Sequence, residues 1–170
     1  MTSRIVSAIG AAVLVAVSGA AMAATQTSTF VVAASVPKNC LVSSTNMNFG
    51  VYTPAAGDVA ASSTVTVRCT SGTTFDVALD AGQEASFAPR KLQDAGLNEL
   101  EYNLYTSNAY ATVWGDGTGA TVKQNGVGGG MGVPQAVTLT VYGRLPDNAA
   151  NQLSPESTSY ADTITVTVTY

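Results

Sequence analysis

The sequence contains no histidine, and only 11% of its 170 residues are charged. Histidine is the commonest general base and a frequent zinc ligand, so its absence argues against acid–base catalysis and a resident metal. Basic residues are also scarce: seven Lys and Arg oppose eleven Asp and Glu, and the net charge of −4 disfavours nucleic acid as a partner. These deficits predict a protein that is not an enzyme and that needs no cofactor.

An apolar segment long enough to span a bilayer is missing as well, but the N-terminus carries a shorter one. Thr2-Ser3-Arg4 provides a positive start, residues 5–17 are mostly apolar, and Ala21-Met22-Ala23 has the small residues of an A-x-A cleavage site. This three-part pattern predicts a secretory signal peptide over residues 1–23, cleaved between Ala23 and Ala24. We therefore expect an exported mature chain rather than one anchored in the membrane.

Cysteine occurs only twice, at Cys40 and Cys69. Thiols of an exported chain are normally oxidised, and an even count usually means pairing, so we expect one disulfide. The alternative, a redox-active or metal-binding pair, requires Cys-x-x-Cys spacing or histidine partners, and the sequence has neither. In the loop-entropy model, a bridge that closes about 30 residues contributes roughly 3.6 kcal/mol to stability.

Period-two alternation of apolar and polar residues dominates the mature chain, and helical periodicity is hardly visible. Such alternation, in segments rich in valine, threonine and aromatic residues, is typical of half-buried strands. A first strand is predicted over residues 36–42, with a continuation over residues 47–52. The other predicted inward faces are Val65, Val67 and Cys69; Phe75, Val77 and Leu79; Leu100, Tyr102 and Leu104; Val137, Leu139 and Val141; and Ile164, Val166 and Val168.

Turn-forming residues separate these segments, in clusters at residues 54–58, 80–82, 115–117, 126–132 and 146–148. Short strands at this spacing indicate one β-sandwich domain, which we place at residues 37–170. The pattern provides about six strands, whereas an Ig-type sandwich has seven, and the last strand runs to Tyr170. The sequence therefore predicts an all-β fold: an Ig-like, incomplete, six-stranded β-sandwich.

The segment at residues 24–36 alternates in the same way. Its apolar positions on one side are Phe30, Val32, Ala34 and Val36. An exposed apolar strand is an aggregation hazard, so it calls for a groove that receives it. Residues 24–36 of one copy could then act as an N-terminal donor strand for the next copy. The same alternation equally fits the first strand of a complete monomeric sandwich, or a disordered tail.

A sandwich that lacks its last strand would supply the acceptor groove. Ile164, Val166 and Val168 are the residues that we expect to form part of it. A head-to-tail contact of this kind builds an open fibre of identical or related subunits. Residues 24–36 would thereby complete the β-sandwich of a neighbouring subunit.

Several motifs, in this order and spacing, resemble the spore coat protein U domain family, which includes subunits of archaic chaperone-usher pili. The motifs are Cys40, Asn48-Phe49-Gly50-Val51-Tyr52, Val67-Arg68-Cys69, Arg90-Lys91-Leu92, Leu100-Glu101-Tyr102-Asn103-Leu104-Tyr105, Trp114-Gly115-Asp116-Gly117, Val141-Tyr142-Gly143-Arg144-Leu145-Pro146 and Tyr160-Ala161-Asp162. Where related members carry a glycine before the last motif, this chain has Thr158-Ser159. The turn that enters the last strand is therefore expected to differ.

The resemblance implies a subunit exported through the periplasm to a surface pilus, with a role in attachment and biofilm formation. It implies three partners: other pilus subunits, a periplasmic chaperone and an outer-membrane usher. Two alternatives stay open. One is a self-contained secreted coat or matrix protein, and the other is a carbohydrate-binding module, which would need an exposed row of aromatic side chains.

Three further features favour structural interpretations. Asp116 is expected in a turn, because too few acidic neighbours accompany it to bind calcium. The glycine-rich stretch 126–132 lacks the spacing of a phosphate loop and is expected to be a mobile hairpin loop. Among the aromatic residues, we expect Tyr102, Trp114 and Tyr142 in the core, and we leave Tyr105 and Tyr110 open.

Overall fold

A computed structural model describes residues 22–170, so the predicted signal peptide lies outside the described residues except for Met22 and Ala23. The chain divides into two units between Ser35 and Val36. In the first unit, residues 22–35 have no helix or strand, and their side chains are exposed. In the part of the chain that the structure describes, all regular secondary structure belongs to the second unit.

The second unit consists of eight strands in two antiparallel sheets. The larger sheet contains, in spatial order, β1 (Cys40–Ser44), β2 (Val59–Cys69), β7 (Val137–Leu145), β5 (Glu99–Tyr105) and β4 (Arg90–Gln93). The smaller sheet contains β6 (Gln124–Val127), β3 (Thr74–Leu79) and β8 (Val166–Thr169). Helical structure is limited to α1 (Ala149–Gln152) and a 3-10 turn at Val133–Gln135. The predicted all-β, Ig-like class is confirmed.

The inner faces of the two sheets are formed by the apolar residues of the period-two alternation. The strands β2, β3 and β5 bury the residues predicted to point inward, and Val141 and Leu145 of β7 join them. Trp114 fills the middle of this core and donates its indole N–H to the carbonyl of Val77 at 2.9 Å. That bond satisfies the polar group of a large buried ring, as the interior requires.

The strand count differs from the predicted six because two short strands were not recognised. β4 presents a buried arginine where an apolar residue would mark a strand, and β6 reads Gln-Asn-Gly-Val, without alternation. Residues 47–52, predicted as a strand continuation, lie outside the assigned strands. The terminal strand is also shorter than the predicted segment, since only residues 166–169 pair with β3.

Arg90 is fully buried on the inner side of β4. Its guanidinium donates to the carbonyl of Asp80 at 2.8 and 3.0 Å, to the carbonyl of Trp114 at 2.8 Å and to Oδ1 of Asn103 at 2.7 Å. Phe87 covers it, with the guanidinium carbon 4.9 Å from the ring centre. Burial lowers the pKa of Arg90. A single arginine thus holds together β5, the turn after β3 and the segment that carries Trp114.

The glycine-rich stretch leads from β6 of the smaller sheet towards β7 of the larger sheet and packs against Cys69, so it is not the predicted hairpin loop. Gly126 belongs to β6, and the backbone of Gly128 bonds to Gly72 and Thr73 at 2.8 Å. A Cβ atom on Gly128 would lie 2.7 Å from the Cβ and carbonyl oxygen of Cys69. Glycine is needed at this position because the two backbones approach so closely.

Candidate functional site

An open groove of about 1110 Å³ lies within the second unit. One wall is formed by residues 44–52 and the other by residues between 154 and 166. The floor is apolar and comes largely from the inner face of the larger sheet. Its residues include Val65, Leu92, Leu100, Leu104, Val141 and Leu145, together with the ring of Tyr102. The groove therefore has an apolar base between two stretches of backbone.

The first wall lacks a strand partner. Thr45 donates to the carbonyl of Thr64 at 3.0 Å, and after it no backbone group of residues 46–52 bonds to another backbone group within residues 22–170. The wall is held by side chains instead: Met47 and Phe49 pack onto the core over Gly143. The Phe49 ring meets the Tyr102 ring edge-on, with 5.9 Å between their centres.

The second wall exchanges two backbone bonds with β4, between Ala161 and Gln93 at 2.9 and 3.0 Å, and ends in β8, which is paired along one edge only. β8 bonds to β3 and has no strand on its other side among the described residues. The N–H of Thr165 donates to the Asp80 carboxylate at 3.0 Å, and its carbonyl accepts from the Asp80 N–H at 3.1 Å. Successive residues of a strand direct their backbone groups to opposite edges. The backbone groups of Ile164 and Val166 therefore point away from β3, to the open edge.

The structure brings together two of the three residues predicted for an acceptor groove. Ile164 and Val166 line the groove and pack against the core. Val168 also packs against the core but is not among the lining residues. Their alternation with outward threonines leaves an apolar side facing inward and an unpaired backbone edge beside it.

The residues predicted as a donor strand are all exposed. Phe30, Val32 and Val36 are 86%, 83% and 81% exposed, and Ala34 is exposed too. Val31, on the alternate side of the segment, is equally open. Apolar side chains exposed in an unbroken row are unusual for an isolated soluble chain.

The predicted disulfide between Cys40 and Cys69 is confirmed. The two residues lie directly opposite each other where β1 pairs with β2, and their sulfur atoms are bonded. Cys69 is buried and Cys40 is half-buried. The bridge fixes the start of β1, which leads into the first wall, to the end of β2.

A carboxylate network, not anticipated from the sequence, anchors the far end of the first wall. The Tyr52 hydroxyl donates to Asp147 at 2.6 Å, and the N–H groups of Ala55 and Gly57 donate to the same carboxylate at 3.1 and 2.9 Å. Burial, together with this carboxylate, raises the pKa of Tyr52 to about 12. The bond from Tyr52 is the main reason why the pKa of Asp147 falls to about 2.

The aromatic residues divide between the core and the outer face of the larger sheet. Tyr102 and Trp114 are buried, as predicted, but Tyr142 is only half-buried and faces outward, so that prediction was wrong. Tyr142 pairs in register with Tyr105, whose ring packs edge-on against Tyr110 at 5.4 Å. Tyr105 and Tyr110 are half-buried as well, so these three tyrosines do not form an exposed row.

Asp116 behaves as a turn residue: its carboxylate accepts from the N–H and the hydroxyl of Thr118 at 2.9 and 2.6 Å. Among residues 22–170, no group of three or more metal-ligating side chains comes together. No helix in that range has the length and apolar character needed to cross a bilayer.

The fold and the groove place the chain in the class of Ig-like β-sandwich proteins. The family model of the Spore Coat Protein U domain matches residues 26–167. The chain belongs to that family, and the resemblance inferred from its motifs is confirmed.

Among solved structures, the chain is similar to one chain of the CsuC-CsuE chaperone-tip adhesion subunit pre-assembly complex, from archaic chaperone-usher Csu pili of Acinetobacter baumannii. The TM-score is 0.54 and the sequence identity 19%; the match covers 79% of this chain and 40% of the other. The chain thus spans less than half the length of that relative, and the likeness concerns the fold. No curated protein matches the sequence.

Proposed function

We propose that this protein is a structural subunit of an extracellular pilus, and that residues 24–36 of one copy insert as a donor strand into the groove of the next. The proposal rests mainly on one observation. Within residues 22–170, each wall of an apolar groove has a backbone edge without a strand partner, and the same chain carries an exposed segment with apolar side chains at every second position.

The chemistry of segment and groove is complementary. A strand laid in the groove would pair with the open edge of β8 and with the unbonded backbone of residues 46–52, and would bury its alternate side chains on the apolar floor. Burying Phe30, Val32 and Val36, at about 1.5 to 3 kcal/mol each, gives roughly 5 to 9 kcal/mol before the cost of ordering the segment. Ala34 adds a smaller amount.

Each copy supplies one segment and one groove, so the contact is head-to-tail and extends into an open fibre. Family membership supports this assembly, and so does the fold shared with a chain of a chaperone-usher pilus complex. On this proposal a periplasmic chaperone protects the groove after export, an outer-membrane usher carries out polymerisation, and the product is a surface fibre for attachment and biofilm formation. The role is mechanical and needs no catalysis.

The first test compares the mature chain, residues 24–170, with a chain that lacks residues 24–36. The proposal expects a ladder of SDS-resistant oligomers on unboiled gels from the first chain and monomer alone from the second. Stable monomers from both would overturn the proposal in favour of the self-contained coat protein or the carbohydrate-binding module.

A matched pair of point variants sharpens this test. Val32→Ser removes an apolar side chain from the side that faces the groove, whereas Val31→Ser makes the same chemical change on the alternate side. Since both valines are exposed in the unpaired segment, neither change should affect the stability of the sandwich. We expect Val32→Ser to shorten the oligomer ladder and Val31→Ser to leave it as it is; equal ladders would contradict the predicted register.

A further inference from the structure

Tyr102 connects the two walls of the groove across its floor. It lies on the inner face of β5, is 3% exposed and lines the groove. The edge-on contact with Phe49 joins its ring to the first wall. Its hydroxyl donates to Oδ2 of Asp162 at 2.6 Å, which joins it to the second wall.

Asp162 transmits this connection to the rest of the second wall. Its other carboxylate oxygen accepts from the N–H of Gln83 at 2.9 Å and from the N–H of Thr163 at 2.7 Å. Gly82 makes room for the carboxylate, because a Cβ atom there would lie 2.0 Å from Oδ2. Asp162 is therefore fixed to the turn after β3 and to the start of the segment that carries Ile164.

The second wall is also tied to the larger sheet by the two backbone bonds between Ala161 and Gln93, at 2.9 and 3.0 Å. Within residues 22–170, however, no backbone bond joins residues 46–52 of the first wall to the second wall. A hydrogen bond to a carboxylate is stronger than one between neutral groups, and a buried tyrosine ring is nearly rigid. The three side chains Phe49, Tyr102 and Asp162 thus form one rigid connection from wall to wall.

From this geometry we propose that Tyr102 is a positioning residue for donor-strand uptake: through Phe49 and Asp162 it sets the spacing of the two walls at the width that a single strand requires. The inference rests on the proposed function of the groove. Tyr102 does not supply the pairing edge; it keeps the edge of β8 and the backbone of residues 46–52 at the distance where an incoming strand bonds to both.

The test measures binding of a fluorescein-labelled peptide of residues 24–36 to the chain that lacks those residues, whose groove no neighbouring copy can fill. Both sheets of the described structure lie outside the removed segment. Binding is followed by anisotropy, well below the lowest melting temperature of any variant. Tyr102→Phe keeps the ring against Phe49 and removes only the bond to Asp162; Asp162→Asn weakens the same bond from the other side. The matched control is Tyr160→Phe, since the Tyr160 hydroxyl donates to the carbonyl of Pro155 at 2.8 Å, within one wall.

We expect Tyr102→Phe and Asp162→Asn each to weaken peptide binding about tenfold, and the double variant to be no weaker than either alone, because both remove one connection. Tyr160→Phe should bind like the parent. A residue with only a structural role would lower the melting temperature and leave the affinity of the folded protein unchanged.

Two results would count against this assignment, and they are distinguishable. If the parent binds the peptide and Tyr102→Phe binds it equally well, the role of Tyr102 is refuted while donor-strand uptake stands. If the parent itself does not bind the peptide, the proposed function fails and the inference fails with it.

Discussion

Replacing Arg90 by methionine should destabilise the sandwich far more than an ordinary surface arginine change. Methionine fills much of the space but donates nothing, so the carbonyls of Asp80 and Trp114 lose the donors that the guanidinium supplies. Leaving a buried acceptor unsatisfied costs about 1 to 3 kcal/mol, and loss of the cation–π contact with Phe87 adds roughly 1 kcal/mol. For the two carbonyls and the cation–π contact together, these effects amount to about 3 to 7 kcal/mol, a large part of a typical domain's stability.

Urea unfolding of the disulfide-bonded chain measures this difference. Trp114 is the single tryptophan of the sequence and is fully buried, so its fluorescence reports the loss of the core. With an m-value of about 2 kcal/mol/M, the midpoint of Arg90→Met should fall by roughly 1.5 to 3.5 M. The control is Arg68→Met on the outer face of β2, which should shift it by less than about 0.3 M. Similar midpoints for the two variants would refute the reasoning.

Two further predictions concern the disulfide and the carboxylate network. Changing Cys40 and Cys69 together to alanine should lower the free energy of unfolding by about 3.6 kcal/mol in the same urea assay, and a loss below about 1 kcal/mol would contradict the loop-entropy estimate. For Asp147, the pKa of about 2 in the folded chain lies below the ordinary value of about 3.9, so its contribution is present above pH 4 and is lost as the pH falls to about 2. Asp147→Asn should therefore lose less stability than the parent over that interval, and parallel pH profiles would show that the network contributes nothing.

The alternation of apolar residues was enough to predict most of the inner faces. Val65, Val77 and Leu100 represent strands in which every second residue is buried, and such strands can be recognised from the sequence alone. The same rule could have corrected the prediction for Tyr142: Val141 points inward, so the next residue of the strand must point outward. The error came from judging the tyrosine by its size rather than by its position.

The residues that the sequence did not reveal depend on contacts between distant segments. Arginine is rarely buried, and the partners of Arg90 are mainly backbone carbonyls, which no residue pattern marks. Phe49, Tyr102 and Asp162 come from three segments far apart in the chain, and their convergence depends on how the two sheets pack. Each of the three residues belongs to a motif that supported the family resemblance. Membership of those motifs was the one feature of the sequence that could have marked them as important.

The unpaired backbone on both walls of the groove affects how fast copies associate as well as what the groove binds. Protein association proceeds at about 10⁵ to 10⁷ M⁻¹s⁻¹, so at micromolar concentration an empty groove meets the exposed segment of another copy within roughly 0.1 to 10 s. On the donor-strand proposal, a chaperone that prevents premature polymerisation must occupy the groove within that interval after folding. The lifetime of the empty groove, rather than the final strength of the fibre contact, then determines where polymerisation begins.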